Sequence, residues 1–179
     1  MLQSVRPQID LKLAGVTKVY PGVVALQDVD LAVASGEVVG LIGENGAGKS
    51  TLMNMVGGVV APSGGAMVWR GTPYAPADAS DAAERGIAFI HQELNLFLNL
   101  SVAENLFVDG FPKKFGLIDR RAIRERAAEL MGALDLDVSP DAPVEDLSPG
   151  ERQLVEIAKA LHRDAELIIF DEPTTSLTP

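Results

Sequence analysis

Three features of this chain predict an α/β fold. Short strand-like runs crowd its first third, a helical period takes over between Ser101 and Arg163, and an apolar strand follows at Leu167–Phe170. Strands on both sides of a helical stretch make the helices an insertion into an α/β core. With 179 residues, 47% of them hydrophobic and 22% charged, the chain can bury enough apolar surface to offset the entropy of ordering it.

Ile9–Leu13 reads as the first strand. Ala25–Val33 reads as the second, from the alternation of Leu26, Asp28, Val29, Asp30 and Leu31. The continuous apolar run Val38-Val39-Gly40-Leu41-Ile42 predicts a strand covered on both faces. A glycine-rich turn then leads into a helix from Lys49 to about Val56. Ala66–Trp69, entering the turn at Arg70-Gly71, and Ile87–Ile90 are further strands. Ile123, Ala127, Leu130, Met131 and Leu134 line one face of a helix, with Asp119 as its N-cap. Leu154, Ile157, Ala158 and Leu161 line a second, and Leu167–Phe170 is a buried strand.

Composition narrows the function. Fifteen basic against 25 acidic residues leave a formal net charge of −10, which argues against a nucleic-acid partner, because counterion release needs clustered Lys and Arg. The absence of cysteine removes disulfides, thiolate nucleophiles and cysteine metal sites, and fits the cytosol. No apolar run approaches the roughly 18 residues of a membrane span. The first residues, Met1–Pro7, lack the apolar core of a secretory signal.

Gly43-Glu44-Asn45-Gly46-Ala47-Gly48-Lys49-Ser50 matches the P-loop pattern, with Thr51 behind it. Glycines let successive backbone N–H groups turn inward on phosphate oxygens, and the following helix offers its positive N-terminus. Lys49 is placed to reach the β- and γ-phosphates, and the Ser50 hydroxyl to hold Mg²⁺. A glycine-rich turn that happens to precede Lys-Ser is the bland reading. In a chain of this composition the pattern is expected by chance only about 0.004 times.

Leu167–Phe170 runs into Asp171-Glu172-Pro173, which puts two carboxylates at the C-terminal end of an apolar strand, where ligands collect in parallel sheets. Asp171 suits a Mg²⁺-side acceptor. Glu172 suits the group that orients and polarises an attacking water. Taken alone, the pair is equally an acidic turn capped by proline. Upstream, Leu147-Ser148-Pro149-Gly150-Glu151-Arg152-Gln153 opens a helix: Ser148 is an N-cap, Pro149 takes the first helical position, and Ser148 with Glu151 forms a capping box. Capping explains these residues without a ligand, yet a glycine-containing helix N-terminus is also an anion site.

That segment resembles the signature sequence of ATP-binding cassette proteins, and other cassette elements appear in order. Tyr20, within Val16–Gly22, resembles the aromatic that stacks on adenine, a contact worth about 1–3 kcal/mol; a tyrosine closing a strand is the alternative. Gln92, in His91-Gln92-Glu93, resembles the glutamine that touches Mg²⁺ and water and couples to the membrane partner. Thr174–Thr178 resembles the loop that crosses the dimer interface. Gln92–Leu96, Ser101–Phe107 and Gly150–Leu161 are similar to ATPase subunits of bacterial monosaccharide importers of the ribose, galactoside and xylose type.

The resemblance covers almost the whole chain and implies a P-loop NTPase parallel-sheet core with an N-terminal antiparallel β subdomain. It makes residues 1–179 a nucleotide-binding domain incomplete at its C-terminus, with a helical subdomain at about 95–163. It implies ATP and Mg²⁺ as ligands, Ser148 and Gly150 toward the γ-phosphate of ATP held by a second cassette, and Glu172, Lys49 and Gln92 as catalytic. It also implies permease subunits as partners, a periplasmic sugar-binding protein indirectly, and a place on the cytoplasmic face of the membrane. Two departures stand out. Pro149 replaces the commoner glycine, and the chain ends before the position of the family's switch histidine. His91 and His162 both precede Asp171; His91 is expected to pack locally, and His162 to be a cation facing a helix dipole. The chain is therefore expected to be the N-terminal part of a longer protein, binding nucleotide but hydrolysing it poorly by itself. A non-transport cassette ATPase, or a nucleotide-binding fragment without turnover, are the rival readings.

Overall fold

The computed structural model describes residues 9–91 and 95–171, and the chain divides into two compact units, Met1–Arg85 and Gly86–Pro179.

In the first unit, β1 (Ile9–Tyr20) and β2 (Val23–Ala34) form a long antiparallel hairpin, with Leu13 opposite Leu31 and Tyr20 opposite Val23. On its other edge β1 pairs with β3 (Gly64–Trp69), which is followed by the two-residue β4 (Thr72–Pro73); the sheet order is β2-β1-β3-β4. Both hairpin strands run longer than the sequence pattern suggests because irregular register hides their alternation. Gly15 takes φ +57°, and its N–H donates to Asp30 Oδ1 at 2.8 Å. Asp28, at φ +51°, donates its N–H to Thr17 Oγ1 at 3.0 Å. Among the sheet residues whose burial is described, Leu11, Leu13, Val16, Leu26, Met67 and Trp69 are buried. Helix α1 (Lys49–Val56) buries Leu52, Met55 and Val56, and the Tyr74 hydroxyl donates to the Val56 carbonyl at 2.6 Å. Burial pushes that phenol up to about 12. Helix α2 (Ala79–Glu84) is N-capped by Asp78.

The expected strand at Val38–Ile42 does not form. Val38 and Ile42 are 98% and 100% exposed, and among the described residues no strand pairs with this run. An apolar, β-branched run records what a strand would bury, but a strand exists only through hydrogen bonds to a neighbour.

The second unit contains β5 (Ile87–Ile90) and, far along the chain, β8 (Leu167–Phe170), paired in parallel from Ile87–Leu167 to Ile90–Phe170. β8 is half-buried rather than buried, and Phe170 is exposed, because among the described residues β5 is its only hydrogen-bonded neighbour. Between them, α3 (Val102–Leu106), α4 (Arg120–Ala133) and α5 (Pro149–His162) share one apolar cluster that includes Leu106, Ile123, Ala127, Met131, Val144 and Val155. The short hairpin of β6 (Lys113–Lys114) and β7 (Leu117–Ile118) precedes α4 and holds Phe115 almost wholly in solvent.

The α4 face is as the spacing predicts, with Asp119 accepting from the Ala122 N–H. The α5 face is rotated. Its deepest residues are Val155 and Ala158, with Lys159 and Ala160 beside them, whereas Leu154, Ile157 and Leu161 are only half-buried. Buried Asn105 ties down the approach to α3: its amide donates to the Phe97 and Ser101 carbonyls at 3.0 Å each and accepts the Phe97 N–H at 2.8 Å. No helix among the described residues is long and apolar enough to cross a membrane.

Candidate functional site

The loop from Gly43 to Gly48 leads directly into α1, and its shape depends on two glycines at positive φ. Gly46 has φ +85° with open space around it, so only its backbone conformation demands glycine. Gly48 has φ +88° and is also crowded: a Cβ there would lie 2.5 Å from the Ala25 carbonyl oxygen and 2.6 Å from Leu26 Cδ2. Ala25 and Leu26 are thus part of the loop's support, and no local motif in the sequence signals them. Within the loop the Ala47 N–H donates to the Glu44 carbonyl at 3.1 Å. The Lys49 ammonium curls back over the turn, donating to the carbonyls of Gly43 at 2.7 Å and Glu44 at 2.9 Å.

Asn45 sits in the turn between Glu44 and Gly46, and Ser50 and Thr51 occupy the first turn of α1. That helix has Gly48 as N-cap, no side-chain hydrogen bond at the cap and no acidic residue in its first turn. Its leading N–H groups and the positive end of its dipole therefore face an exposed, cation-bearing loop. An uncapped helix start behind a cation-bearing loop is an arrangement suited to an anion. Tyr20 is the last residue of β1, 38% exposed, with Lys18 Nζ 5.1 Å from its ring centre. The side chain is thus partly exposed, with a cation over its ring.

In the second unit, Ser148 caps α5 and Glu151 completes the box. The Ser148 N–H donates to Glu151 Oε2 at 2.7 Å, and the Glu151 N–H to Ser148 Oγ at 3.4 Å. The Ser148 hydroxyl and N–H hold the Glu151 carboxyl below its usual range. Gly150 lies in the first turn of this helix. Asp171 follows β8 and donates its N–H to the Ile90 carbonyl at 3.2 Å. The His91 ring packs on Phe89 with centroids 4.1 Å apart. His162 is not the expected cation. Its ring lies against Phe107, Nδ1 is buried without a hydrogen-bond partner among the described residues, and burial lowers its pKa from the ordinary 6.5. Gln92, Glu172 and Thr174–Thr178 lie outside the described residues.

For Mg²⁺ the candidate donors Ser50, Asp171 and Gln92 are all hard oxygen ligands, a set that suits this ion beside phosphate. Among the described residues no group of three or more His, Cys, Asp or Glu could hold a metal ion.

A glycine-turned anion cradle ahead of a helix, in an α/β chain with an antiparallel sheet and an inserted helical cluster, defines a nucleotide-binding cassette of the P-loop class. Solved structures agree. The ADP conformation of MJ1267, an ATP-binding cassette of an ABC transporter, superimposes with TM-score 0.83 at 27% identity, over 96% of this chain and 72% of that one. cbiO1 from Clostridium perfringens, part of the ABC transporter complex cbiONQ, does so with TM-score 0.82 at 28% identity, over 96% and 68%. The family described as ABC transporter matches residues 26–175, and this chain belongs to it. Among curated relatives, an arabinose import ATP-binding protein, AraG 2 of Burkholderia ambifaria, is 49% identical over 94% of this chain and 32% of its own length. A ribose/galactose/methyl galactoside import ATP-binding protein of Burkholderia lata is 48% identical over the same shares. The chain spans about a third of the length of these relatives.

Proposed function

We propose that the chain is the N-terminal cassette of a sugar importer's ATPase subunit, which hydrolyses ATP on the cytoplasmic face of the membrane to drive a permease. The observation that carries this reading is the cradle: Gly46 and Gly48 at positive φ, an α1 N-terminus without a side-chain cap, and an ammonium folded over the turn. Gly43, Glu44, Asn45, Gly46, Ala47 and Gly48 wrap the phosphates with backbone N–H groups. Lys49 exchanges its two carbonyl acceptors for β- and γ-phosphate oxygens, and Thr51 lies behind Ser50 at the helix start. Tyr20 stacks on the base. Ser148 and Gly150 face the γ-phosphate of ATP held by a second cassette.

Hydrolysis is an in-line attack. Glu172 accepts a proton from the attacking water, an oxygen–phosphorus bond forms at the γ-phosphorus, and the bond to the bridging oxygen breaks to leave ADP and phosphate. Ser50, Asp171 and Gln92 would hold Mg²⁺, which when bound neutralises phosphate charge. Lys49 and the loop N–H groups stabilise the charge that gathers on the equatorial oxygens. The 48–49% identity to arabinose and ribose/galactose import proteins supports a monosaccharide as cargo, delivered to the permease by a periplasmic binding protein.

The test contrasts two variants of the full-length protein assembled with its permease. Lys49→Ala is expected to weaken Mg-ATP binding by about 100-fold or more, through loss of the fixed cation. Glu172→Gln is expected to keep that affinity and lose turnover, since shape stays and basicity goes. Lys49→Ala affinity within threefold of the parent, or undiminished turnover in Glu172→Gln, would remove the residue concerned from the mechanism.

A further inference from the structure

Two charged side chains on α5 are placed where packing alone would favour hydrocarbon. Lys159 is buried, only 7% exposed, and Glu156 Oε1 is shut away from solvent with no hydrogen-bond partner among the described residues. Both groups meet a single residue. Lys159 Nζ donates to the Asn95 carbonyl at 3.1 Å, and the Asn95 N–H donates to the Glu156 carboxylate. Asn95 belongs to no helix or strand, so its two peptide groups draw these partners from one helix turn on α5. On the near side, His91 lies close enough to Glu156 to favour the charged carboxylate. Residues 91 and 95 flank 92–94, so α5 holds or faces both flanks of the segment that carries Gln92.

The energetics favour placement over stability as the reason for this pair. Burying an ammonium and a carboxylate costs several kcal/mol of solvation each, and hydrophobic residues of the same volume often serve a core as well or better. Burial raises the Glu156 pKa, and Lys159, the Asn95 N–H and His91 pull it back, so the carboxylate's charge depends on its three neighbours. What the charges add is direction: one end of a loop is pinned through both its N–H and its C=O. Asn95 is three residues beyond Gln92, a reach of at most about 10 Å along the chain.

We propose that Glu156 and Lys159 are positioning residues for turnover that clamp the Asn95 peptide, the described flank of the segment carrying Gln92. This rests on the role given to Gln92 above. Ser148 and Lys159 lie on the same helix, about 16 Å apart along its axis, so a shift of the α5 N-terminus is carried to the clamp by a rigid element.

The full-length protein with its permease is the material for the test. Lys159→Met keeps the length and apolar stem of the side chain but removes the donor, and Lys159→Arg restores one. Lys159→Met is expected to lower kcat about tenfold, per molecule competent to bind ATP, while the ATP dissociation constant stays within about twofold. Lys159→Arg should recover most of the loss. Hydrogen exchange of the 90–97 backbone should quicken in Lys159→Met and not in Lys159→Arg, a readout that requires no turnover. Should Lys159→Met fold poorly, Glu156→Gln keeps the volume and is expected to move kcat and exchange in the same direction by less. Faster exchange with unchanged kcat in the folded variants overturns the link to Gln92, and unchanged exchange overturns the clamp. A parent without ATP turnover overturns the function proposed above, and the exchange comparison still decides the clamp.

Discussion

Two helices in this protein begin at glycine-containing turns, and their first turns are finished in opposite ways. At α1 the N-cap is Gly48 in the left-handed region, with no side-chain cap and no acidic residue in the first turn. At α5 the N-cap is Ser148, whose hydroxyl and N–H are engaged by Glu151 in a closed box. The first helix leaves its leading N–H groups without a side-chain cap, while the second has its cap residue engaged by Glu151. A glycine near a helix start therefore does not decide how that start is finished. What distinguishes the cradle is the missing cap together with a cation, Lys49, held on the loop by carbonyl oxygens.

The comparison breaks most sharply at Gly48. Gly48→Ala adds a Cβ at φ +88° against the Ala25 carbonyl, so it is expected to cost about 1–3 kcal/mol of stability and to weaken ATP binding severely. Chemical unfolding and nucleotide titration of the same preparation check both, and unchanged affinity would mean the loop tolerates another shape. Ser148→Ala should cost about 1 kcal/mol, the usual worth of an N-cap, and leave the affinity of the Gly43–Thr51 loop for ATP within twofold. A loss of affinity as large as that of Lys49→Ala would mean the two helix ends are not independent.

The smallest expected effect is a pH dependence. Glu151, and Glu104 in the matching box on Ser101, both titrate below the ordinary 4.5 because serine N–H and hydroxyl donors favour the carboxylate. A folded pKa below the unfolded one adds stability above about pH 4.5, lost as the pH falls through the folded value. Denaturation midpoints between pH 6 and pH 3 should therefore fall less steeply in Glu151→Gln than in the parent. Parallel curves would show that the box contributes nothing through charge.

These contrasts also separate what was legible in the sequence from what was not. Helix starts are written locally: Asp119, and Ser148 with Pro149 and Glu151, cap as the pattern predicts. The same logic fits Ser101 and Glu104, an S-x-x-E box present in the sequence that reading by hydrophobic period alone passes over. Asp78 ahead of α2 is another such signal, obscured because that helix is only six residues long. Pairing is not written locally. Val38–Ile42 has the composition of a buried strand and no described partner, whereas β1 and β2 extend beyond their visible alternation because Gly15 and Asp28 bend them. The α5 face was misplaced for a related reason. Lys159 counts as surface in any hydropathy pattern, and its burial goes with a hydrogen bond to the Asn95 carbonyl, remote in sequence. Within the candidate site, the turn at Gly46 and Gly48 leading into α1 was legible because a glycine turn is a local backbone device. The supports of Gly48 were not, since Ala25 and Leu26 are remote in sequence and ordinary in type.

That contact of Gly48 with Ala25 and Leu26 bears on how this stretch can change length. Val23 is registered against Tyr20 in the hairpin, and Ala25, two residues on, meets the loop glycine. The aromatic and the phosphate loop are thus indexed to one short piece of β2. Hairpin ends in most proteins absorb insertions and deletions freely, but here a single residue gained or lost between Val23 and Ala25 would turn every following side chain to the opposite face. It would also carry a side chain of different shape onto Gly48. Variation by length is therefore closed to these few residues, and change there is confined to substitution.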